Sequence, residues 1–152
     1  MTDGTPLAID LDAIGDTEPL WSAWLESVRG VLALDPASLP QDRGLASAQL
    51  DAGGGGNWRI LLERFAEDHV PAYLRRDAPT SAALRSLAAR GVAMGVFTDA
   101  PEPLARVALS QLGAARRVSV LESGTDALER VVATLGPGTV VVRTRNDLLS
   151  RP

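Results

Sequence analysis

The stretch PTSAALRSLAARGVAMGVFT, residues 79–98, decides the fold class of this chain. Its first part spaces apolar residues at helical intervals and predicts a helix from about Thr80 to Arg90, ending at Gly91, a residue type common just past helix ends. The second part, VAMGVFT at 92–98, is a continuous apolar run that predicts a buried strand. A helix followed directly by a buried strand is typical of α/β proteins.

The same alternation continues toward the C-terminus. Pro101 opens a predicted helix that runs to about Leu112. After it, the pattern predicts a strand, a helix and a strand at residues 117–121, 125–135 and 139–143. Strands that alternate with helices of about ten residues imply right-handed crossovers and a parallel sheet covered on both faces. We therefore predict a three-layer, Rossmann-like α/β domain.

The N-terminal half adds a first strand and a long insertion. Residues 7–12, LAIDLD, are a short apolar run that closes on two acids, as in a buried strand whose carboxyl end reaches solvent. Helical spacing predicts helices over residues 18–34 and 58–74, with Pro71 kinking or breaking the last turn of the second. Residues 35–57 predict a loop, with at most a helical turn around 45–50. A mainly helical insertion over residues 17–77 thus separates the first strand from the others.

Length and composition bound the class of protein. The 152 residues are 45% hydrophobic and 22% charged, which predicts one domain over residues 1–152. No run approaches the roughly 18 apolar residues of a membrane helix, and the N-terminus lacks a signal-like core, so we predict a cytoplasmic protein without a membrane partner. With no cysteine and one histidine, His69, any metal would be a hard ion bound by carboxylates.

The charged residues argue against nucleic acid as a partner. The net charge is −4, and all fifteen basic residues are arginines, with no lysine. The arginines are scattered, and the adjacent pairs at 75–76 and 116–117 do not form a basic stripe along the chain.

Polar side chains follow the predicted strands where a ligand would bind. In open parallel sheets, ligands bind outside the carboxyl ends of the strands. The residues that the sequence places at those ends are Asp10, Asp12, Thr98, Asp99, Arg143, Thr144, Asn146 and Asp147.

Asp10 and Asp12 form the most informative pair among them. Because side chains alternate along an extended segment, Asp10-Leu11-Asp12 should point both carboxylates to the same side. One carboxylate can then attack a substrate while the other transfers a proton.

Three motifs, in their order along the chain, resemble those of the haloacid dehalogenase superfamily. The resemblance is to the phosphatase branch that includes phosphoglycolate phosphatase and beta-phosphoglucomutase. The first is IDLDAIG at 9–15 with DTEPLW at 16–21, the second is the strand GVFTD at 95–99, and the third is VRTRND at 142–147. The resemblance covers almost the whole chain, and the helical insertion matches a shortened cap.

The resemblance assigns roles to individual residues. It implies that Asp10 is the nucleophile that forms an aspartyl-phosphate and that Asp12 is the general acid and then the base. Thr98, with Asp99 beside it, would bind the phosphate. Magnesium would be held by Asp10, Asp12 and an acid of the last motif, Asp147.

Departures from the family pattern concern the neutralisation of charge. The family uses a lysine to neutralise phosphoryl charge, and this chain has none, although Arg116, Arg117 or Arg130 could substitute. Arg143 stands where the first metal-binding acid of the family belongs. A guanidinium there repels magnesium and can itself pair with Asp10 and Asp12, which predicts that Arg143 replaces the cation.

We therefore predict a phosphatase-related domain, a pseudoenzyme with weak or no hydrolysis and a binding or interaction role. The alternative is an active magnesium-dependent phosphomonoester hydrolase that uses Asp10 as its nucleophile. A phosphate-accepting receiver domain fits less well, because its lysine is missing and the insertion is long. The partners that remain are a small phosphorylated molecule, another protein or a second copy of the chain.

Overall fold

Four short parallel strands form the centre of the protein. The computed structural model describes residues 4–53 and 55–151. Within them the strands are β1 (Leu7–Asp10), β2 (Met94–Thr98), β3 (Val120–Ser123) and β4 (Val140–Val142). They pair in the order β3-β2-β1-β4, all in parallel. The predicted α/β class with a parallel, Rossmann-like sheet is confirmed.

Helices surround this sheet and connect its strands. They are α1 (Leu11–Ile14), α2 (Glu18–Ser27), α3 (Arg43–Ala52), α4 (Trp58–Tyr73), α5 (Ala78–Ala89), α6 (Glu102–Gln111), α7 (Ala127–Leu135) and α8 (Arg145–Leu149). Single 3-10 turns form at Pro36–Ser38 and Ala115–Arg117. None of the helices in the described ranges is long and apolar enough to cross a membrane.

The elements after residue 78 follow the prediction closely. Gly91 takes φ +77° just beyond the end of α5, the left-handed conformation that favours glycine at this position. The third strand lies later than predicted, at Val120–Ser123, because Ala115–Arg117 forms a 3-10 turn. That turn is too tight to join the sheet.

Two predictions in the insertion are wrong. The helix predicted over 18–34 ends at Ser27, and Gly30 has φ +83° in the turn that follows. The segment predicted as a loop over 35–57 contains α3, a helix of ten residues. Asp42 caps α3 by accepting a hydrogen bond from the Leu45 N–H, at 2.9 Å.

Pro71 lies inside α4 without breaking it. The helix continues to Tyr73, and Pro71 is exposed. A proline costs a helix one backbone hydrogen bond, and on an exposed face water can satisfy the carbonyl group that loses its donor. The predicted break in the last turn is therefore not present.

Apolar side chains cover the sheet on both faces, as predicted. Leu7, Ile9 and Val96 belong to the larger buried cluster, whereas Ala8 and Phe97 pack with α7 in a smaller one. Gly95 allows α7 to approach the sheet, since a Cβ atom there would lie 2.6 Å from a methyl carbon of Val131.

The insertion shares the larger cluster with the sheet. Trp24 and Trp58 are buried in it, with ring centroids 6.0 Å apart, and Leu62 of α4 is completely buried there. The insertion helices therefore pack on the core of the domain. Their interpretation as a shortened cap stays a prediction.

Candidate functional site

A cleft opens at the carboxyl ends of β1 and β2. Its volume is about 530 Å³. Its lining consists of Asp10, Asp12, Asp42, Phe97, Thr98, Asp99, Gly124, Thr125, Asp126, Ala127, Leu128, Glu129 and Arg143. We call this space the acidic cleft. Five of the residues that the sequence placed at strand ends meet here: Asp10, Asp12, Thr98, Asp99 and Arg143.

Asp10 and Asp12 come together by a different geometry from the predicted one. The strand ends at Asp10, and the chain turns at once into α1, so the two residues do not lie on an extended segment. Asp10 is the N-cap of α1, and its Oδ1 atom accepts a hydrogen bond from the Asp12 N–H at 3.0 Å. The helical turn, and not strand alternation, brings both residues to the cleft.

The environment of this pair disfavours ionisation. Desolvation raises the pKa of Asp10 above its ordinary value, against smaller lowering effects of the Asp12 N–H bond and of the Arg143 charge. Desolvation also raises the pKa of Asp12, and the Asp10 charge raises it further. The carboxylates are therefore crowded in a cleft that stabilises them incompletely.

Asp10→Asn should stabilise the protein at neutral pH. Because the pKa of Asp10 is raised on folding, ionisation costs stability above the folded pKa, and that cost disappears below the unfolded value. The asparagine can still accept the capping bond. We expect a higher melting temperature than wild type at pH 7, with the difference vanishing in acid. Asp68→Asn, which changes an exposed residue of α4, is the control. A melting temperature of Asp10→Asn at pH 7 that is equal to or lower than that of the wild type would refute this expectation.

Thr98 lies buried at the end of β2 and caps the turn that follows. Its Oγ1 atom accepts a hydrogen bond from the Ala100 N–H at 3.1 Å. The hydroxyl oxygen thus caps this turn, and the hydroxyl hydrogen remains available for a second partner. Its role in phosphate binding stays a prediction.

Asp99 is paired with a residue that the sequence analysis missed. The Oδ1 atom of Asp99 accepts hydrogen bonds from Nε and Nη2 of Arg43, at 3.0 and 2.9 Å. Its Oδ2 atom accepts from the Arg43 backbone N–H at 3.0 Å. The carboxylate predicted to help bind phosphate is therefore already engaged.

Arg43 fixes the insertion to the sheet. Only 3% of it is exposed, and its Nη1 atom donates a hydrogen bond to Oγ1 of the buried Thr17 at 2.6 Å. One guanidinium thus joins α3, the end of β2 and the start of α2. A signal was present in the sequence, because Asp42 can cap a helix and Ala46 and Leu50 are four residues apart.

Arg143 reaches the acidic cleft but remains exposed. Its guanidinium carbon lies 5.5 Å from the centre of the Phe97 ring. Its charge lowers the pKa of Asp10, although no ion pair within 4.0 Å joins it to Asp10 or Asp12 in the described ranges. The direct pairing expected from the sequence is absent, and charge replacement by Arg143 stays a prediction.

Asp147 does not line the acidic cleft. It is exposed on α8, and Thr144 caps that helix by accepting a hydrogen bond from the Asp147 N–H at 3.1 Å. Within residues 4–53 and 55–151, no three acidic or histidine side chains are placed to share a metal ion. Asp147 therefore does not join Asp10 and Asp12 in the acidic cleft, and the magnesium site that the resemblance implies stays a prediction.

The arginines suggested as substitutes for the family lysine lie elsewhere. Arg130 donates to Oε1 of Glu122 at 2.8 Å and to the carbonyl oxygen of Thr125 at 2.7 Å. Arg116 and Arg117 line a separate groove. Of the described residues that line the acidic cleft, Arg143 is the one with a basic side chain.

Comparison with protein-family models, with curated proteins and with solved structures gave no match.

Proposed function

We propose that this chain is a haloacid dehalogenase-like domain with a degenerate catalytic centre, whose role is binding or interaction with weak or no hydrolysis of phosphate esters. The charge of the acidic cleft carries the proposal. One arginine, Arg143, faces six carboxylates there, those of Asp10, Asp12, Asp42, Asp99, Asp126 and Glu129.

A phosphoryl group entering the acidic cleft would lack compensation for its charge. Phosphoryl transfer depends on cations or hydrogen-bond donors placed where negative charge develops. The Arg43 guanidinium is bound to Asp99, Arg130 is bound to Glu122, and the carboxylates offer magnesium no group of three within the described chain. These arrangements favour a binding role over catalysis.

The surface of the insertion supports an interaction role. Large apolar side chains are exposed on it at Val31, Leu45, Ile60 and Leu61. Exposed apolar side chains mark an interface where they form one contiguous patch. A protein partner or a second copy of the chain therefore remains a candidate beside a small phosphorylated molecule.

One observation favours the alternative, an active phosphomonoester hydrolase. Burial raises the pKa of Asp12 above its ordinary value, which is the direction of change that a general acid needs. Thr98 also keeps a hydroxyl hydrogen that can contact a phosphoryl oxygen. This alternative still needs a cation that the acidic cleft does not supply.

Trapping of the phosphorylated enzyme separates the two functions. The chain is mixed with acetyl phosphate and magnesium chloride, quenched in acid and weighed intact by mass spectrometry, beside Asp10→Asn. We expect no phosphoryl adduct on either protein, because the attacking carboxylate lacks charge compensation. A phosphoryl adduct on the wild type that is missing from Asp10→Asn would establish the hydrolase.

A further inference from the structure

A second groove lies beside the C-terminal end of α6. It has a volume of about 620 Å³ and is lined by Arg76, Ser110, Gly113, Ala115, Arg116 and Arg117. We call it the arginine groove. It shares no lining residue with the acidic cleft, so an inference about it is independent of the proposed function.

Two of the three arginines of this groove contact neutral groups. Arg117 donates from Nη1 to the carbonyl oxygen of Gly113 at 3.2 Å. The Arg76 guanidinium lies against Gly113, where an added Cβ atom would be 2.7 Å from its Nε atom. Gly113 has φ +73°, the left-handed conformation that favours glycine.

No carboxylate balances these charges within the groove. Its lining contains three arginines and no acidic residue. Elsewhere, Arg59, Arg106 and Arg145 form ion pairs with aspartate or glutamate. For Arg76, Arg116 and Arg117 no such pair forms with any carboxylate of residues 4–53 and 55–151. In a chain of net charge −4, this is a local concentration of positive charge.

We propose that the arginine groove binds an oligophosphate, either free or as the phosphate chain of a nucleotide. Guanidinium groups form paired, charge-assisted hydrogen bonds with phosphate oxygens. Three of them match a ligand with several adjacent negative charges, and the Ser110 hydroxyl can add a donor. The concave shape suits a small ligand, and the groove has no aromatic side chain on which the bases of a nucleic acid could stack.

Isothermal titration with sodium tripolyphosphate at low ionic strength tests this proposal. We expect saturable one-to-one binding by the wild type. The Arg116→Gln/Arg117→Gln variant should lose at least about tenfold in affinity, since each guanidinium contributes charge-assisted hydrogen bonds. Arg116→Gln alone changes an exposed side chain and should lose affinity without disturbing the fold.

Arg64→Gln/Arg85→Gln is the matched control, because it removes the same charge from two exposed helical positions. It should bind tripolyphosphate nearly as the wild type does. A parallel titration with adenosine triphosphate distinguishes the two sources of the ligand: equal affinity indicates recognition of the phosphate chain alone, and tighter binding indicates a nucleotide. Absence of saturable binding, or an equal loss in the control variant, would overturn the proposal.

Discussion

Arg43→Ala is expected to lower the free energy of unfolding by about 3 kcal/mol, because a buried guanidinium loses its hydrogen bonds to the half-exposed Asp99 carboxylate and to the buried Thr17 hydroxyl. The wild-type side chain donates two hydrogen bonds to Asp99 and one to Thr17. Without it, the buried Thr17 hydroxyl loses its donor and Asp99 loses its counter-charge beside Asp10 and Asp12. Urea denaturation followed by circular dichroism measures the loss.

Arg145→Ala is the matched control for this experiment. Arg145 also donates two hydrogen bonds to one carboxylate, that of Asp77, but both side chains are substantially exposed. Exposed ion pairs contribute about 0–1 kcal/mol, so this variant should unfold almost as the wild type does. Equal, small losses in both variants would show that Arg43 does not fix the insertion to the sheet.

A double-mutant cycle identifies the partner responsible. Adding Asp99→Asn to Arg43→Ala removes the carboxylate that was left without a counter-charge. The double variant should recover part of the loss, because the two residues are in direct contact. Strictly additive losses would show that the contact with Asp99 is not responsible, and would assign the effect to the other contacts of Arg43, with Thr17 and Glu18.

The C-terminal half of the fold could be predicted from local patterns. Each helix there has an apolar face, and the apolar runs at 92–98 and 139–143 contain strands. Their alternation allows few topologies other than a parallel sheet. Since parallel strands end at one edge, the meeting of Asp10, Thr98 and Arg143 also followed from the sequence.

The insertion was harder to predict because tertiary contacts decide its structure. Helix α3 has two large apolar residues, Leu45 and Leu50, and follows a proline-containing segment, and its N-terminus is held by the hydrogen bond from the Arg43 N–H to Asp99. These two residues are 56 positions apart, and no local pattern reports such a contact. The buried arginine therefore lay in a segment predicted as a loop.

The turn beside Asp10 escaped prediction for a local reason. Residues 7–12 alternate polar and apolar side chains at their end, as a strand does, but an aspartate also caps a helix. In the structure Asp10 caps a helix and does not continue the strand, since α1 begins at Leu11 and buries Leu11, Ala13 and Ile14. The pair of carboxylates was predicted correctly, and the backbone between them was not.

The last motif was only partly placed as the resemblance implies. Arg143 lines the acidic cleft as the motif order implied, whereas Asp147 turns away on α8. Arg143 directly follows β4, whereas Asp147 lies in the middle of α8, so the two side chains of one motif do not line the same cleft.

The degenerate catalytic centre is tested most directly by steady-state hydrolysis of para-nitrophenyl phosphate. The assay contains magnesium or one of a panel of other divalent ions. Removing one charge-stabilising group costs an enzyme about 10²–10³ in turnover, and here the lysine and one metal-binding acid of the family pattern, replaced by Arg143, are missing. We therefore expect turnover at least about a thousandfold below the typical 10 per second, equal in the wild type and in Asp10→Asn. Turnover near about 10 per second that Asp10→Asn abolishes would contradict the account and establish an active phosphatase.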